Sequence, residues 1–200
     1  MQLPPHGANY KTLYQRFQIP IPEKVYDLSE NVNAFGFPQK VKDAWPQFIH
    51  HISTYPHPEA EPLRTMLAKK LNVQRENLII GNGAAELLTF FAGRFTNRQV
   101  IIVHPTFSEY KSTLEAQGAK IIEHVAQEIT TYKLPMNQIK KSMHDASCLY
   151  LCNPNNPTGV LTKAHTIEQL LQHGQERNCF VVVDEAFMDW TNEEESVIPF

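Results

Sequence analysis

The chain is poor in cysteine, in surplus charge, in glycine and in long apolar runs, and each shortage removes a class of protein. Its 200 residues hold three cysteines, Cys148, Cys152 and Cys179, an odd number that offers no disulfide framework. Cys148 and Cys152 are close in sequence, yet no second pair and no histidine cluster accompanies them. His50, His51 and His57 are too irregularly placed to serve as ligands. All three thiols are therefore expected in the core, with no metal. A net charge of −3, from 18 basic and 21 acidic residues, gives no basic footprint for nucleic acid or acidic lipid. The longest apolar runs, "VVV", "QVIIV" and "NLII", fall far short of the ~20 residues that cross a bilayer. The opening "MQLPPHGANY" lacks the charged-then-apolar layout of a secretory signal. The expectation is a cytoplasmic protein with no membrane and no nucleic-acid partner. The eight glycines include neither a G-x-G-x-x-G fingerprint nor a Walker A loop.

What is present is an alternation of two hydrophobic periods. A helix is expected over residues 59–72, with Leu63, Met66, Leu67 and Leu71 on one face and Pro62 in its first turn. The strand-like "NLII" runs into a Gly-rich turn that opens a second helix. Then come strand "QVIIV", helix "FSEYKSTLEAQG", strand "AKIIEHV", helix "PMNQIKKSM", strand "SCLYLC", helix "AHTIEQLLQHGQERN" and strand "CFVVVDE". Continuous apolar strands alternating with helices predict an α/β three-layer sandwich around a mostly parallel sheet. The first ~45 residues are punctuated by proline and are expected to be irregular, apart from a short helix at "YKTLYQRFQ". Trp45 and Trp190 are read as packing residues.

Ligands of open α/β sheets sit beyond the carboxyl ends of the strands, so the residues after each strand carry the functional signal. After "NLII" comes Gly81-Asn82-Gly83, which can form an anion cradle at a helix start or a plain tight turn; the residues alone leave both open. After "SCLYLC" comes "NPNNPTG", with three asparagines, two prolines and a glycine in seven residues. After "FVVV" comes Asp184, a carboxylate that needs a cationic partner to stay ionised at a buried strand end. An anion cradle, an amide and a buried carboxylate on one sheet edge suit a ligand with a phosphate, a phenolate-like oxygen and a protonated ring nitrogen. Pyridoxal 5′-phosphate carries all three. A nucleotide-binding Rossmann reading fails on the glycine spacing and on the lack of an acidic residue at the second strand's end.

"YPHPEAEPLR", "GNGAAEL", "HPTFSEY", "NPNNPTG" and "VVVDEAF" stand in an order and spacing that resembles the class I/II aminotransferase superfamily of fold type I. The likeness is to its histidinol-phosphate aminotransferase branch. Within that branch "HGANY" and "DLSENVNAFGFP" resemble the L-threonine-O-3-phosphate decarboxylases of cobalamin biosynthesis. The resemblance implies the large domain of that fold over residues 49–200, incomplete at its C-terminal end. Residues 1–48 would form an N-terminal arm and part of a small domain. It implies that Gly83, Ala84 and Ala85 offer N–H groups to the cofactor phosphate and that Tyr110 stacks on the pyridine ring. Asn156 would bond the 3′-oxygen and Asp184 the ring nitrogen. Tyr55 would reach the cofactor phosphate of a partner subunit in a homodimer. His6, Asn31 and Asn33 would face an amino-acid substrate or its phosphate ester.

Two departures from the family pattern bear on function. Phe187 stands where a tyrosine is common, so no hydroxyl shares the 3′-oxygen with Asn156. The family's Schiff-base lysine stands in a Ser-x-x-Lys segment past the "DEAF" strand, and no lysine of this sequence lies there; the last is Lys163. The expectation is a chain that continues past Phe200 in its native form and is inactive without that part. Decarboxylation and transamination use the same cofactor residues, and a lysine-free, non-catalytic binding fragment is the third reading.

Overall fold

The computed structural model describes residues 9–29, 31–128 and 130–200. The chain forms two compact units, one ending at Leu78 and one spanning Ile79–Phe200.

The first unit holds α1 (Tyr10–Arg16), α2 (Gln39–Phe48) and α3 (Leu63–Leu71) between irregular segments. Of these helices only α3 buries a residue, Ala68. It ends on Asn72 at φ 53, the left-handed position that asparagine tolerates better than most residues. Arg75 ties the preceding loop down through ion pairs of 2.9 Å to both Glu59 and Glu61. Helix α2 lies in the stretch expected to be irregular. Val41, Trp45 and Phe48 recur at helical spacing there, and Pro46 is accommodated inside. Trp45 meets Phe48 edge-on at 6.1 Å but is largely exposed, and so is Trp190; neither packs as expected.

The second unit is built on four parallel strands: β1 (Gln99–His104), β2 (Lys120–Val125), β3 (Cys148–Cys152) and β4 (Phe180–Asp184), in the order β2-β1-β3-β4. Helices α4 (Gly83–Ala92), α5 (Ser108–Ala116), α6 (Met136–Ser142) and α7 (Ala164–Arg177) cover the faces. Side chains alternate across a strand, and this decides which helix each one meets. Ile101, Val103, Leu149 and Leu151 pack with Ile139 and Met143 and with Ile167 and Leu170 of α7. Val100, Ile102, Cys148, Tyr150 and Cys152 pack on the other face with Leu88 and Ala92 of α4 and Tyr110 and Leu114 of α5. The result is the expected α/β sandwich with a parallel sheet. All three cysteines are free and buried, as expected. Burial pushes the Cys179 thiol up to about 11, so it stays protonated and apolar in character. Residues 77–80 are the exception. Leu78 is extended (φ −114, ψ 132), but "NLII" joins no ladder among the described residues. Both sides of β1 are already taken by β2 and β3, and an extended segment without a partner is not a strand.

One contact tests the closeness of α7 to the sheet. A Cβ on Gly174 would stand 2.5 Å from the carbonyl oxygen of Cys179 and 3.1 Å from Val181. Replacing a helical glycine by alanine gains ~1 kcal/mol of propensity. Overpacking a core commonly costs ~1–3 kcal/mol, and backbone cannot yield as a flexible side chain can. Gly174→Ala is therefore expected to lower stability, by about 1 kcal/mol net, read as a shifted urea midpoint at unchanged slope.

Candidate functional site

The order β2-β1-β3-β4 reverses direction between β1 and β3. The chain leaves β1 toward β2 on one side and leaves β3 toward β4 on the other. A crevice opens at such a reversal, at the carboxyl ends of the strands, because the two connections diverge there. Its walls are the segment after His104, the asparagine loop after Cys152 and the turn after Asp184.

The asparagine loop is held by its own amides. Asn153 donates to the Thr162 carbonyl at 3.1 Å and accepts the Thr162 N–H at 2.8 Å, closing the loop at its base. Asn155 donates to the Pro105 carbonyl at 3.1 Å and to Thr158 Oγ1 at 2.8 Å, clipping the loop to the chain that follows β1. Both amides are about 1% exposed, and the side-chain oxygen Oδ1 of Asn155 is buried with no partner among the described residues. The Gly159 N–H closes onto Asn155 O at 2.7 Å with φ +70, a turn open to glycine. Helix α7 starts only at Ala164. Asn156, the amide expected to face a ligand, is half-buried, and its N–H lies against the Cys152 sulfur. Asn153 and Asn155 were not singled out from the sequence. Their signal is the crowding of asparagines at a strand end, but which one turns inward depends on Pro105, 50 residues away.

Asp184 ends β4 beside this loop: its carbonyl accepts the Asn153 N–H at 2.8 Å. Its carboxylate accepts the Ala186 N–H at 2.9 Å and the Tyr110 hydroxyl at 2.7 Å. Tyr110 itself is fully buried, edge-on to Phe107 and tilted against Tyr150, both at 5.6 Å. Its ring is thus enclosed by aromatics, where stacking on a ligand was expected. Burial pushes the phenol's pKa far up, and the neighbouring Cys152 and Asp184 push it the same way. The hydroxyl therefore stays protonated and serves Asp184 as a donor. Burial likewise raises the Cys152 thiol.

At the start of α4, Gly83 has φ +79, and nothing lies within 4 Å of where its Cβ would be. Its N–H donates to Gly81 O at 3.0 Å, so the free first-turn donors are those of Ala84 and Ala85, on exposed residues. The Asn82 N–H is taken by Glu86 Oε2 at 2.6 Å.

These residues fit pyridoxal 5′-phosphate. The open cradle with two N–H groups on a ten-residue helix suits a phosphate. Each Asp184 oxygen keeps lone pairs beyond those in use, enough to accept from a pyridinium N–H. Asn156 adds an amide between them in sequence.

In the first unit Tyr55 is fully exposed. Asn33 is spent on a turn, accepting the Phe35 N–H at 3.0 Å and donating to Gly36 O at 3.3 Å, while Asn31 is exposed. His6 lies outside the described residues. Among those described, no cluster of metal-ligating side chains forms, and no helix is long and apolar enough to cross a membrane.

Comparison with known proteins gives concordant likenesses. The chain is 30% identical over 194 residues to the threonine-phosphate decarboxylase of Salmonella typhimurium, covering 97% of this chain and 53% of that enzyme. It is 32% identical over 175 residues to the histidinol-phosphate aminotransferase of Bacillus velezensis, covering 86% of this chain and 48% of the other. The chain thus spans about half the length of the curated relatives it matches. The crystal structure of the histidinol-phosphate aminotransferase from Clostridium acetobutylicum shares the fold, with a TM-score of 0.78 at 23% identity over 86% of this chain and 50% of that one. The description aminotransferase class I and II matches residues 23–199, so the chain belongs to that family, whose cofactor is pyridoxal 5′-phosphate.

Proposed function

We propose that the protein is a pyridoxal 5′-phosphate enzyme that decarboxylates L-threonine O-3-phosphate. The observation that carries the cofactor half is the Asp184 carboxylate at the carboxyl end of β4, ordered by the Tyr110 hydroxyl at 2.7 Å. When bound, the cofactor draws electrons from the Cα bonds of an amino acid. Asp184 holds the proton on the ring nitrogen, and Tyr110, locked in its protonated form, holds Asp184 in place. Asn156 donates to the 3′-oxygen. The N–H groups of Ala84 and Ala85, with the cradle opened by Gly83, bind the phosphate at the positive end of α4.

The substrate half is supported by the likeness to the Salmonella decarboxylase over 97% of this chain and by Phe187 in place of a tyrosine. His6, Asn31 and Asn33 bind the substrate in this reading, with His6 on its phosphate. A homodimer is proposed with it, in which Tyr55 reaches the other subunit's cofactor phosphate. The exposure of Tyr55, Phe35 and Ile52 in the first unit supports such a partner. The division into an arm of residues 1–48 and a large domain of 49–200 belongs to the same proposal. A second reading, transamination on a histidinol-phosphate-like substrate, is favoured by the 32% identity to the Bacillus velezensis enzyme.

The test is to incubate the full-length protein with pyridoxal 5′-phosphate and O-phospho-L-threonine. Carbon dioxide release with no added 2-oxoacid is expected; turnover that needs a 2-oxoacid acceptor would establish the aminotransferase instead. Two variants probe the cofactor half. Asp184→Asn removes the charge that faces the ring nitrogen, and losing one partner of a hydrogen-bonded charge pair costs ~2 kcal/mol at the low end, about a 30-fold weaker Kd by equilibrium dialysis. Tyr110→Phe leaves Asp184 one donor short, so the protein without cofactor is expected to lose about 1 kcal/mol in urea denaturation. With cofactor added the deficit should shrink, since the ring nitrogen supplies a replacement donor.

A further inference from the structure

Helix α7 begins directly after the asparagine loop, yet its own N-cap residue, Lys163, provides no side-chain cap. The cap comes from 31 residues away. Glu195 Oε2 accepts the Ala164 N–H at 2.6 Å, and Oε1 pairs with Lys163 Nζ at 2.7 Å. Only 16% of the Glu195 side chain is exposed. The next two residues are held from another side. Glu185, directly after Asp184, accepts the Ser196 hydroxyl and the Val197 N–H, each at 2.7 Å. Val197 then packs on the core beside Leu171, Val181 and Val183. Between these ties the chain turns through Phe187 and the short 3-10 turn Met188–Trp190, with Met188 buried.

We infer that Glu195 and Glu185 are positioning residues: residues 195–197 form a strap that joins the exit of the asparagine loop to the strand end bearing Asp184. The strap closes residues 186–195 into a loop whose two ends meet, and so fixes the span that carries Phe187. It also sets the start of α7, and hence the far end of the loop that presents Asn156. The bond between Asn153 N–H and Asp184 O holds the strand ends at their roots; the strap holds the chain beyond them. Neither glutamate is assigned contact with cofactor or substrate. The inference rests on the proposed cofactor site.

The strap has a definite pH response. The hydrogen bond from Lys163, with that from the Ala164 N–H, holds the Glu195 carboxyl below its ordinary range, and His165 adds in the same direction. Glu194 acts on the same Lys163 charge. A carboxylate lowered on folding contributes above its unfolded pKa, and that contribution is lost as pH falls through the folded value. The Glu195 tie therefore contributes fully at neutral pH and weakens in acid.

The experiment compares wild type, Glu195→Gln, Glu195→Ala and, as a charge control on α7, Glu168→Gln. Amide hydrogen exchange without cofactor reads the strap directly. Faster exchange at Ala164 and over residues 186–197 is expected in both Glu195 variants and not in the control. Cofactor affinity by equilibrium dialysis is expected to weaken about 5-fold or more in Glu195→Ala at neutral pH, the lower end of ordinary coupling between sites. The wild-type advantage over Glu195→Gln should shrink as the solution is acidified. In a Lys163→Met background, Glu195→Gln should cost less than in wild type, since the pair acts as a unit. Unchanged exchange and unchanged affinity in the Glu195 variants would overturn the strap. Faster exchange with unchanged affinity would overturn its positioning role. A wild type that binds no cofactor would overturn the proposed site instead, and the exchange data would still judge the strap.

Discussion

Parallel pairing is the constraint on which everything else in the second unit depends. A parallel ladder cannot be closed by a tight turn, so each strand must be followed by a covering helix, and every strand ends on the same edge. In this chain that edge receives His104, the asparagine loop and Asp184 from β1, β3 and β4 in turn. The reversal of order between β1 and β3 then spreads the connections and leaves a crevice. The polar residues need no separate device to bring them together; the sheet delivers them, and the alternation of side chains along β4 puts Asp184 on the face of Val182, where Tyr110 of α5 meets it.

The local problem at that edge is polar burial, and the solution differs from residue to residue. Asn153 and Asn155 answer it with bonds to backbone carbonyls, which cost little because both partners are otherwise unsatisfied. Asp184 is held by one backbone N–H and one phenol, a neutral set, so it gains donors without having its charge cancelled. A strand-end carboxylate ordered but not neutralised is well placed to pair with a cation that arrives with a ligand. Lys111 and Glu123 show the contrast. They pair at 2.8 Å on the surface with His104 alongside, and in that exposed setting solvent screening leaves such an ion pair worth little.

Much of this was legible in the sequence, and the parts that were not share a cause. β1, β3 and β4 show as apolar runs, since a parallel strand is covered on both faces, whereas the edge strand β2, "KIIEHV", carries charges. Asp184 shows as the first charge after one of them. The boundaries of α5, α6 and α7 fall within two residues of those expected. What failed depends on distant partners. Residues 77–80 have strand composition but no ladder to join. Trp45 and Trp190 are large apolar residues of the kind that fill cores, yet both stay largely exposed in the described chain. The inward amides of "NPNNPTG" are chosen by Pro105 and Thr162, and the cap of α7 by Glu195. No periodicity encodes such pairings.

The N-terminus of α4 shows how the same forces bear on a ligand. An isolated helix start draws anions, and here Glu86 already places a carboxylate on the Asn82 N–H. Under the proposed reading the cofactor phosphate must come to the same place, where two like charges 4 Å apart would repel by ~1 kcal/mol in water and by ~4 kcal/mol at a protein surface. Glu86 is exposed, so it can swing into solvent, giving up one charge-assisted hydrogen bond worth ~1.5–3 kcal/mol net. The phosphate brings up to three strong acceptor oxygens to the Ala84 and Ala85 N–H groups and frees that of Asn82. More donors are then satisfied by one anion than Glu86 satisfies alone, so displacement is favoured over repulsion.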